Sequence, residues 1–267
     1  MAMLRQGQLL QHSIRRDLRF RVLGRLGEGG FGEAYEVVGL SESDQEFDNT
    51  ACLKVTTDAW SWHGETYFMR LLEGDLHAVQ LYDSFPVRVG EGDAARTRFC
   101  LLMELLKGRS VSDLCDSGEL PWPEDRVVRQ LRYLLRTLGR LHELQTPHRD
   151  ITPTNTYVGN NSALKLSDYG IAAMAKLRKG VRANAFNPAF CPADLKTFWD
   201  RRDDLYQVGL LALTLLSGEV HYAGVKKPAV NALARKDGAL REAIKTALSV
   251  KSQRHEHAGA MRAALEG

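Results

Sequence analysis

The apolar residues of this chain change their period once. From Arg19 to Leu106 they come in short runs bounded by glycine-rich or polar segments: Arg19 to Leu26, Gly32 to Gly39, Ala51 to Thr56, Val79 to Phe85 and Arg98 to Leu105. Runs of that length and make-up predict strands. A helical pattern over Glu65 to Leu72 interrupts them, SESDQEFDNT (41–50) is predicted to be a polar hairpin loop, and PVRVGEGDAA (86–95) a second loop. After Leu106-Lys107-Gly108 the period becomes helical. Glu124 to Leu144 places Val127, Val128, Leu131, Leu134, Leu135, Leu138 and Leu141 on one stripe behind the start signals Pro121 and Pro123. Asp204 to Leu216 is apolar almost all round, the pattern of a buried helix, and Gly218 would end it. Leu240 to Leu248 and Ala258 to Leu265 predict further helices. The expectation is an α+β chain: a β-rich part over 19–106 with one helix, an α-rich part over 107–267, and residues 1–18 as an N-terminal extension. A length of 267 residues suffices for one large core or for two lobes.

Polar motifs sit on this frame at fixed distances. His148-Arg149-Asp150 is followed by Asn155 and then by Asp168-Tyr169-Gly170, with Asp168 eighteen residues after Asp150. Transfer of a phosphoryl group to a hydroxyl needs one carboxylate to take or orient the hydroxyl proton. It also needs a carboxylate and a carboxamide to hold Mg²⁺ on the nucleotide phosphates. Asp150 suits the first task, and Asn155 and Asp168 the second. Upstream, Gly27, Gly29 and Gly32 lie between two predicted strands. A dinucleotide fingerprint would open a helix, whereas this one opens the strand Ala34-Tyr35-Glu36-Val37. Glycines there let backbone N–H groups approach phosphates with no Cβ in the way. Cys52-Leu53-Lys54-Val55 then puts a lysine on an apolar strand, 22 residues after Gly32.

Taken together these motifs resemble the eukaryotic-type (Hanks-type) protein kinase domain, which includes bacterial Ser/Thr kinases, over roughly residues 20 to 265. The resemblance implies a bilobal kinase fold, ATP and Mg²⁺ or Mn²⁺ as cofactors, and a protein substrate. It implies that Lys54 contacts the α and β phosphates and pairs with Glu65, although Glu65 follows Lys54 by only 11 residues, so the intervening loop or first helical turn must be short. The Glu104 carbonyl and the Leu106 backbone would bond the adenine edge, Met103 would be the gatekeeper, and Ala34, Cys52 and a bulky Tyr157 would enclose the base. His148 would be structural, Arg149 would meet a phosphate on the activation segment, and Asp204 would brace the catalytic loop. Pro153 favours Ser/Thr acceptors. The alternative is a pseudokinase acting as a nucleotide-binding scaffold or switch. A small-molecule kinase of the same superfamily is disfavoured by Arg149 and by the recognisable segment up to Asp194.

Three departures from the family pattern alter the expectation. Thr152 stands where Ser/Thr kinases commonly carry a lysine, and Thr154 where tyrosine kinases carry an arginine. Loss of one cation there could cost about 2–4 kcal/mol of transition-state stabilisation. Asn187 replaces the threonine that bonds that lysine, so Thr152 and Asn187 are expected to bond each other. From Asp168 to Asp194 the sequence contains no Ser or Thr. Activation by Ser/Thr phosphorylation within that segment is chemically impossible, and the segment's Lys176, Arg178, Lys179 and Arg182 are the expected contact for an acidic partner. Asp194 replaces the glutamate that ends the segment, and Arg254 is its expected counter-ion.

Composition narrows the remaining classes. Thirty-six basic residues against 33 acidic ones give a net charge of +3, which argues against a nucleic-acid binder. Cys52, Cys100, Cys115 and Cys191 are scattered, with no C-x-x-C pair, so neither a zinc site nor a disulfide framework is expected. No apolar run is long enough to span a bilayer, and a cytoplasmic location with no membrane contact is expected.

Overall fold

The computed structural model describes residues 2–15, 17–29, 32–90, 92, 95–107, 109–160, 162–170, 172, 181–182, 187–224, 230, 234–235 and 237–266. The chain divides into two compact units, one of Met1–Gly74 with Val79–Lys107 and the other of Asp75–Ala78 with Gly108–Gly267.

The first unit is a six-stranded antiparallel sheet with one helix. Its strands are β1 (Leu9–Gln11), β2 (Arg19–Gly29), β3 (Gly32–Leu40), β4 (Glu46–Thr56), β5 (Leu81–Val89) and β6 (Arg96–Met103), in the order β1-β2-β3-β4-β6-β5. Alternation sorts the side chains, so that Tyr35, Val37, Leu53, Val55, Phe85 and Cys100 are buried on one face. Residues 1–18 are built into this unit. Leu10 pairs with Phe20, Leu4 and Leu10 join the same core, and the Met3 N–H donates to Glu33 at 2.7 Å.

Two predicted loops are shorter than expected. Residues 46–50 continue β4, where Val38 pairs with Thr50 and Leu40 with Glu46. Residues 86–89 continue β5, where Val87 pairs with Arg98. Polar composition misleads at 46–50, an exposed ladder end where backbone pairing holds the strand without apolar side chains, whereas at 86–89 the turn-rich residues that follow mask Val87, which is buried in the core of the sheet with Val89 packed against it. Pro86 is tolerated because β5 is an edge strand. β6 ends at Met103, two residues before the predicted limit.

The second unit is mainly helical: α2 (Val111–Asp116), α3 (Glu124–Glu143), α4 (Arg201–Ser217), α5 (Gly238–Ala247) and α6 (Ala258–Ala264). Short hairpins β7–β8 (Thr156–Val158, Leu164–Leu166) and β9–β10 (Val181–Arg182, Phe198–Trp199) accompany them. The α3 stripe is buried as its period requires, except Val128, which lies at the edge of the stripe and is only half-buried. α4 is buried along nearly its whole length. It starts on a capping box, Asp200 with Asp203, and ends on left-handed Gly218 (φ 79°). α2 was not legible as an apolar stripe. It is one turn and a half, held by the Ser110–Asp113 capping box.

Candidate functional site

In the first unit the lysine and its acid meet. Lys54 Nζ donates to both oxygens of Glu65, at 2.9 and 2.8 Å. The short spacing has a simple origin. β4 ends at Thr56 and the helix α1 begins at Ala59, so α1 (Ala59–Leu71) starts six residues before the predicted limit and Glu65 sits in its middle. Asp58 caps it by accepting the Trp60 N–H at 2.9 Å. Glu65 lies on the buried side of α1 with Phe68 and Met69, its side chain 4% exposed against 14% for Lys54.

The glycine-rich residues form the end of the β2–β3 hairpin, with Gly29 paired to Gly32 and Gly27 to Ala34. β2 is irregular between Arg25 and Gly27. Added Cβ atoms at Gly27 and Gly29 would meet nothing within 4 Å, whereas one at Gly32 (φ 143°) would come within 2.3 Å of the Val55 carbonyl oxygen. Gly32 is therefore required by close backbone packing as well as by its φ. Gly30 and Phe31 of the motif lie outside the described residues.

Ala34 pairs with Lys54, and Cys52 with Met103, so the predicted base-enclosing residues of this unit lie on adjacent strands. Burial pushes the Cys52 thiol up to about 12, so it is an uncharged packing group. Met103 and Leu106 are buried. Glu104 is tied back to β5's approach: its N–H donates to the Gln80 carbonyl at 2.9 Å and its carboxylate accepts the Gln80 N–H at 3.3 Å.

In the second unit the predicted catalytic loop hangs from one buried carboxylate. Asp204 accepts the backbone N–H groups of His148 (2.7 Å) and Arg149 (2.9 Å), His142 Nε2 (2.9 Å) and Trp199 Nε1 (2.8 Å). Burial alone would raise its pKa. The His142 hydrogen bond and the nearby imidazoles and backbone donors outweigh burial and hold it below the ordinary carboxylate value. His148 is fully buried, which lowers its pKa and keeps it neutral despite nearby Asp204 and Asp168. Its Nδ1 accepts the Asp150 N–H at 3.3 Å. His148 thus acts as a structural peg.

Gln207, one turn after Asp204, extends the brace. Its Oε1 accepts the Ile151 N–H at 2.9 Å and its Nε2 donates to the Arg149 carbonyl at 3.3 Å. Sequence reading missed Gln207, His142 and Trp199. The i, i+3 relation of Asp204 and Gln207 on a buried helix was the signal available, since two polar side chains on an apolar helix must find partners.

The loop so held brings Asp150 and Asn155 together. Asn155 Nδ2 donates to Asp150 Oδ2 at 2.6 Å and to the Asp150 carbonyl at 3.3 Å. The Ser167 N–H donates to the Asn155 carbonyl at 3.0 Å, which ties the strand leading to Asp168 onto the same loop. Arg149 (φ 76°) and Asp168 (φ 59°) both have left-handed backbones, a strained state that the surrounding hydrogen bonds maintain. Tyr169 is fully buried, and its hydroxyl donates to the Leu166 carbonyl at 3.2 Å. Tyr157 lies on β7, bridged to Ser110.

The expected Thr152–Asn187 bond does not form. Thr152 Oγ1 pairs with Thr154 Oγ1 at 2.9 Å, and Asn187 caps a short 3₁₀ turn by accepting the Ala189 N–H at 3.1 Å. Each polar group satisfies itself locally. Asp194 pairs with Arg254, which also donates to Asp203 at 2.9 Å and lies over the Tyr206 ring. Burial opposes the Asp194 charge, but the Lys251 N–H and Arg254 lower its pKa overall. Lys176, Arg178 and Lys179 lie outside the described residues, as does the Arg182 side chain, though Arg182 itself pairs with Phe198.

With this geometry in hand, comparison with known proteins is direct. The family model described as "Protein kinase domain" matches residues 20–261, and the chain belongs to that family. It is 30% identical to the serine/threonine-protein kinase PknL of Mycobacterium tuberculosis over 78% of this chain and 51% of that protein. It is 27% identical to serine/threonine-protein kinase pkn2 of Myxococcus xanthus over 81% of this chain and 26% of that protein. The chain thus spans between about a quarter and about half of the length of these relatives. The crystal structure of the Mycobacterium tuberculosis PknI kinase domain has the same fold, with a TM-score of 0.65 at 20% identity, covering 100% of this chain and 99% of that one. Among the described residues no helix is long and apolar enough to cross a membrane.

Proposed function

We propose that the chain is a Mg²⁺/ATP-dependent protein kinase that transfers the γ-phosphoryl group to Ser/Thr hydroxyls and is not switched by Ser/Thr phosphorylation of its activation segment. The carrying observation is the Asn155 amide. Its Nδ2–H is committed to Asp150, which turns the side-chain Oδ1 of Asn155 away from Asp150 as a hard donor for a divalent cation. Mg²⁺ is bound by one or two carboxylates plus phosphates and waters, and Asp168 with Asn155 fits that set; Mn²⁺ suits the same oxygens. The open space over Gly27 and Gly29 suits the approach of phosphate oxygens to backbone N–H groups.

In this reading Lys54, held by Glu65, contacts the α and β phosphates. Asn155 and Asp168 would hold Mg²⁺, which would offset charge on the transferring group. Asp150, positioned by Asn155 and by the Asp204 brace, orients the acceptor hydroxyl and takes its proton. Thr152 and Thr154 supply hydroxyls where relatives supply a cation, so a rate lower by a factor of roughly 30 to 900 is expected relative to a lysine-bearing loop. Ala34, Cys52, Met103, Glu104, Leu106 and Tyr157 are proposed to form the base site.

The test is radiolabelled phosphate transfer from ATP by the wild type, Asp150→Ala and Asp168→Asn. Label appearing with wild type on itself or on a generic protein, and lost in both variants, is expected. Thermal stabilisation by Mg²⁺/ATP without any label would instead make the chain a nucleotide-binding pseudokinase.

A further inference from the structure

The second unit carries a dense charge on one side of α3. Arg126, Arg129, Arg132, Arg136 and Arg140 recur every three or four residues, with no acidic residue between Arg126 and Arg140. That spacing puts all five guanidinium groups on one face. Arg262 of α6 joins them, and Arg129, Arg132, Tyr133, Arg136, Arg262 and Glu266 line a groove of about 230 Å³.

The two ends of the stripe are already engaged. Arg126 lies 3.7 Å over the Trp122 ring, and Arg140 meets Asp75 at 3.3 Å. In the middle the one acid is Glu266, which accepts from Arg132 at 2.8 Å. Arg129, Arg136 and Arg262 form no ion pair with any described residue, and Arg136 lies 5.6 Å over the Tyr133 ring. Four guanidinium groups and one carboxylate thus line the groove, and the carboxylate already holds one of the four, Arg132.

We propose that this groove binds the phosphoryl group of a phosphorylated serine or threonine in a polypeptide. A carboxylate offsets one of the four charges, whereas a phosphomonoester brings close to two charges and three acceptor oxygens. Planar guanidinium forks match those oxygens in pairs. A nucleic acid would need free cations continuing along the helix, but both ends of this stripe have partners. The charge is concentrated in one place, as a single dianion requires. Glu266 occupies Arg132 and competes with the ligand. The inference rests on this groove alone and holds whether or not the chain transfers phosphate.

The test is fluorescence anisotropy of the full chain, without nucleotide, with a labelled phosphothreonine peptide flanked by Gly, Ser and Ala. The arms are its unphosphorylated twin and a single-stranded oligodeoxynucleotide as competitor. Phosphopeptide binding at least about tenfold tighter than the twin is expected, weakened about tenfold or more by Arg129→Gln/Arg136→Gln. Glu266→Gln should tighten binding several-fold, and this variant also reports if the double variant fails to fold. Equal binding of the twin, unchanged binding in both variants, or displacement of the phosphopeptide by lower concentrations of oligonucleotide overturns the proposal.

Discussion

Asp204 shows how one side chain can position several others. A single carboxylate with no solvent exposure collects two backbone N–H groups and two side-chain donors, and so sets the path of His148-Arg149-Asp150. Hydrogen bonds to a charged group contribute about 1.5–3 kcal/mol each, and leaving their donors buried without a partner costs more. Asp204→Ala is therefore expected to destabilise the chain by roughly 3 kcal/mol or more, read as a shift in the denaturant midpoint. Unchanged stability would mean that the loop is held by other contacts. Gln207 supplies such contacts only to Arg149 and Ile151.

The buried histidines set a pH dependence. Burial lowers the pKa values of His77, His148 and His255. The unfolded chain takes up these protons near pH 6.5, whereas the folded chain resists them to lower pH. Between those limits the unfolded state binds more protons, so stability rises with pH and falls as the pH drops below about 6.5. Asp204 adds a loss in the same direction at lower pH, as its depressed carboxylate is protonated. The thermal midpoint should decrease from pH 7 to pH 5 in scanning fluorimetry. A midpoint that is flat or increases over that interval contradicts this account.

Among the elements, α4 and its neighbours depend on small residues at close approaches. A Cβ at Gly209 would lie 2.9 Å from Leu248 Cδ2 and 3.1 Å from Ala247 Cβ, where α4 packs on α5. Gly209→Val should cost about 1–3 kcal/mol by overpacking, beyond any gain in helix propensity, and calorimetry would show it as a lower unfolding temperature. The long elements were legible because their apolar period is local and strong. α3 begins within one residue of its proline signals, and α4 carries its capping box and αL glycine in plain view. The short elements were not. α2 rests on a capping box, β7–β8 and β9–β10 on two or three ladder pairs, and the start of β4 on backbone pairing of polar residues. The early start of α1 was hidden because Trp60, Ser61 and His63 present no clean apolar stripe.

For the molecule as a whole, the proposed activation segment bears on regulation through its composition. No Ser or Thr occurs between Asp168 and Asp194. Transfer activity should therefore survive complete phosphatase treatment, and mass spectrometry should find no Ser/Thr phosphosite in that segment. A phosphate mapped there on Tyr169, with activity dependent on it, would contradict the proposal; the burial of Tyr169 opposes such a modification.

The chain alone supplied the proposed donor set, Lys54, Asp150, Asn155 and Asp168, and determined the change from strand to helix period. Both follow from residue type and local spacing. Tertiary structure decided that Leu9–Gln11 joins the first sheet, that Thr152 bonds Thr154 rather than Asn187, that Gln207 braces Ile151 across 56 residues of sequence, and that Arg262 closes a groove against α3. The reason is physical. Contacts between residues far apart in sequence arise only when packing brings buried polar groups together, and the partner that satisfies each one leaves no periodic trace in the chain.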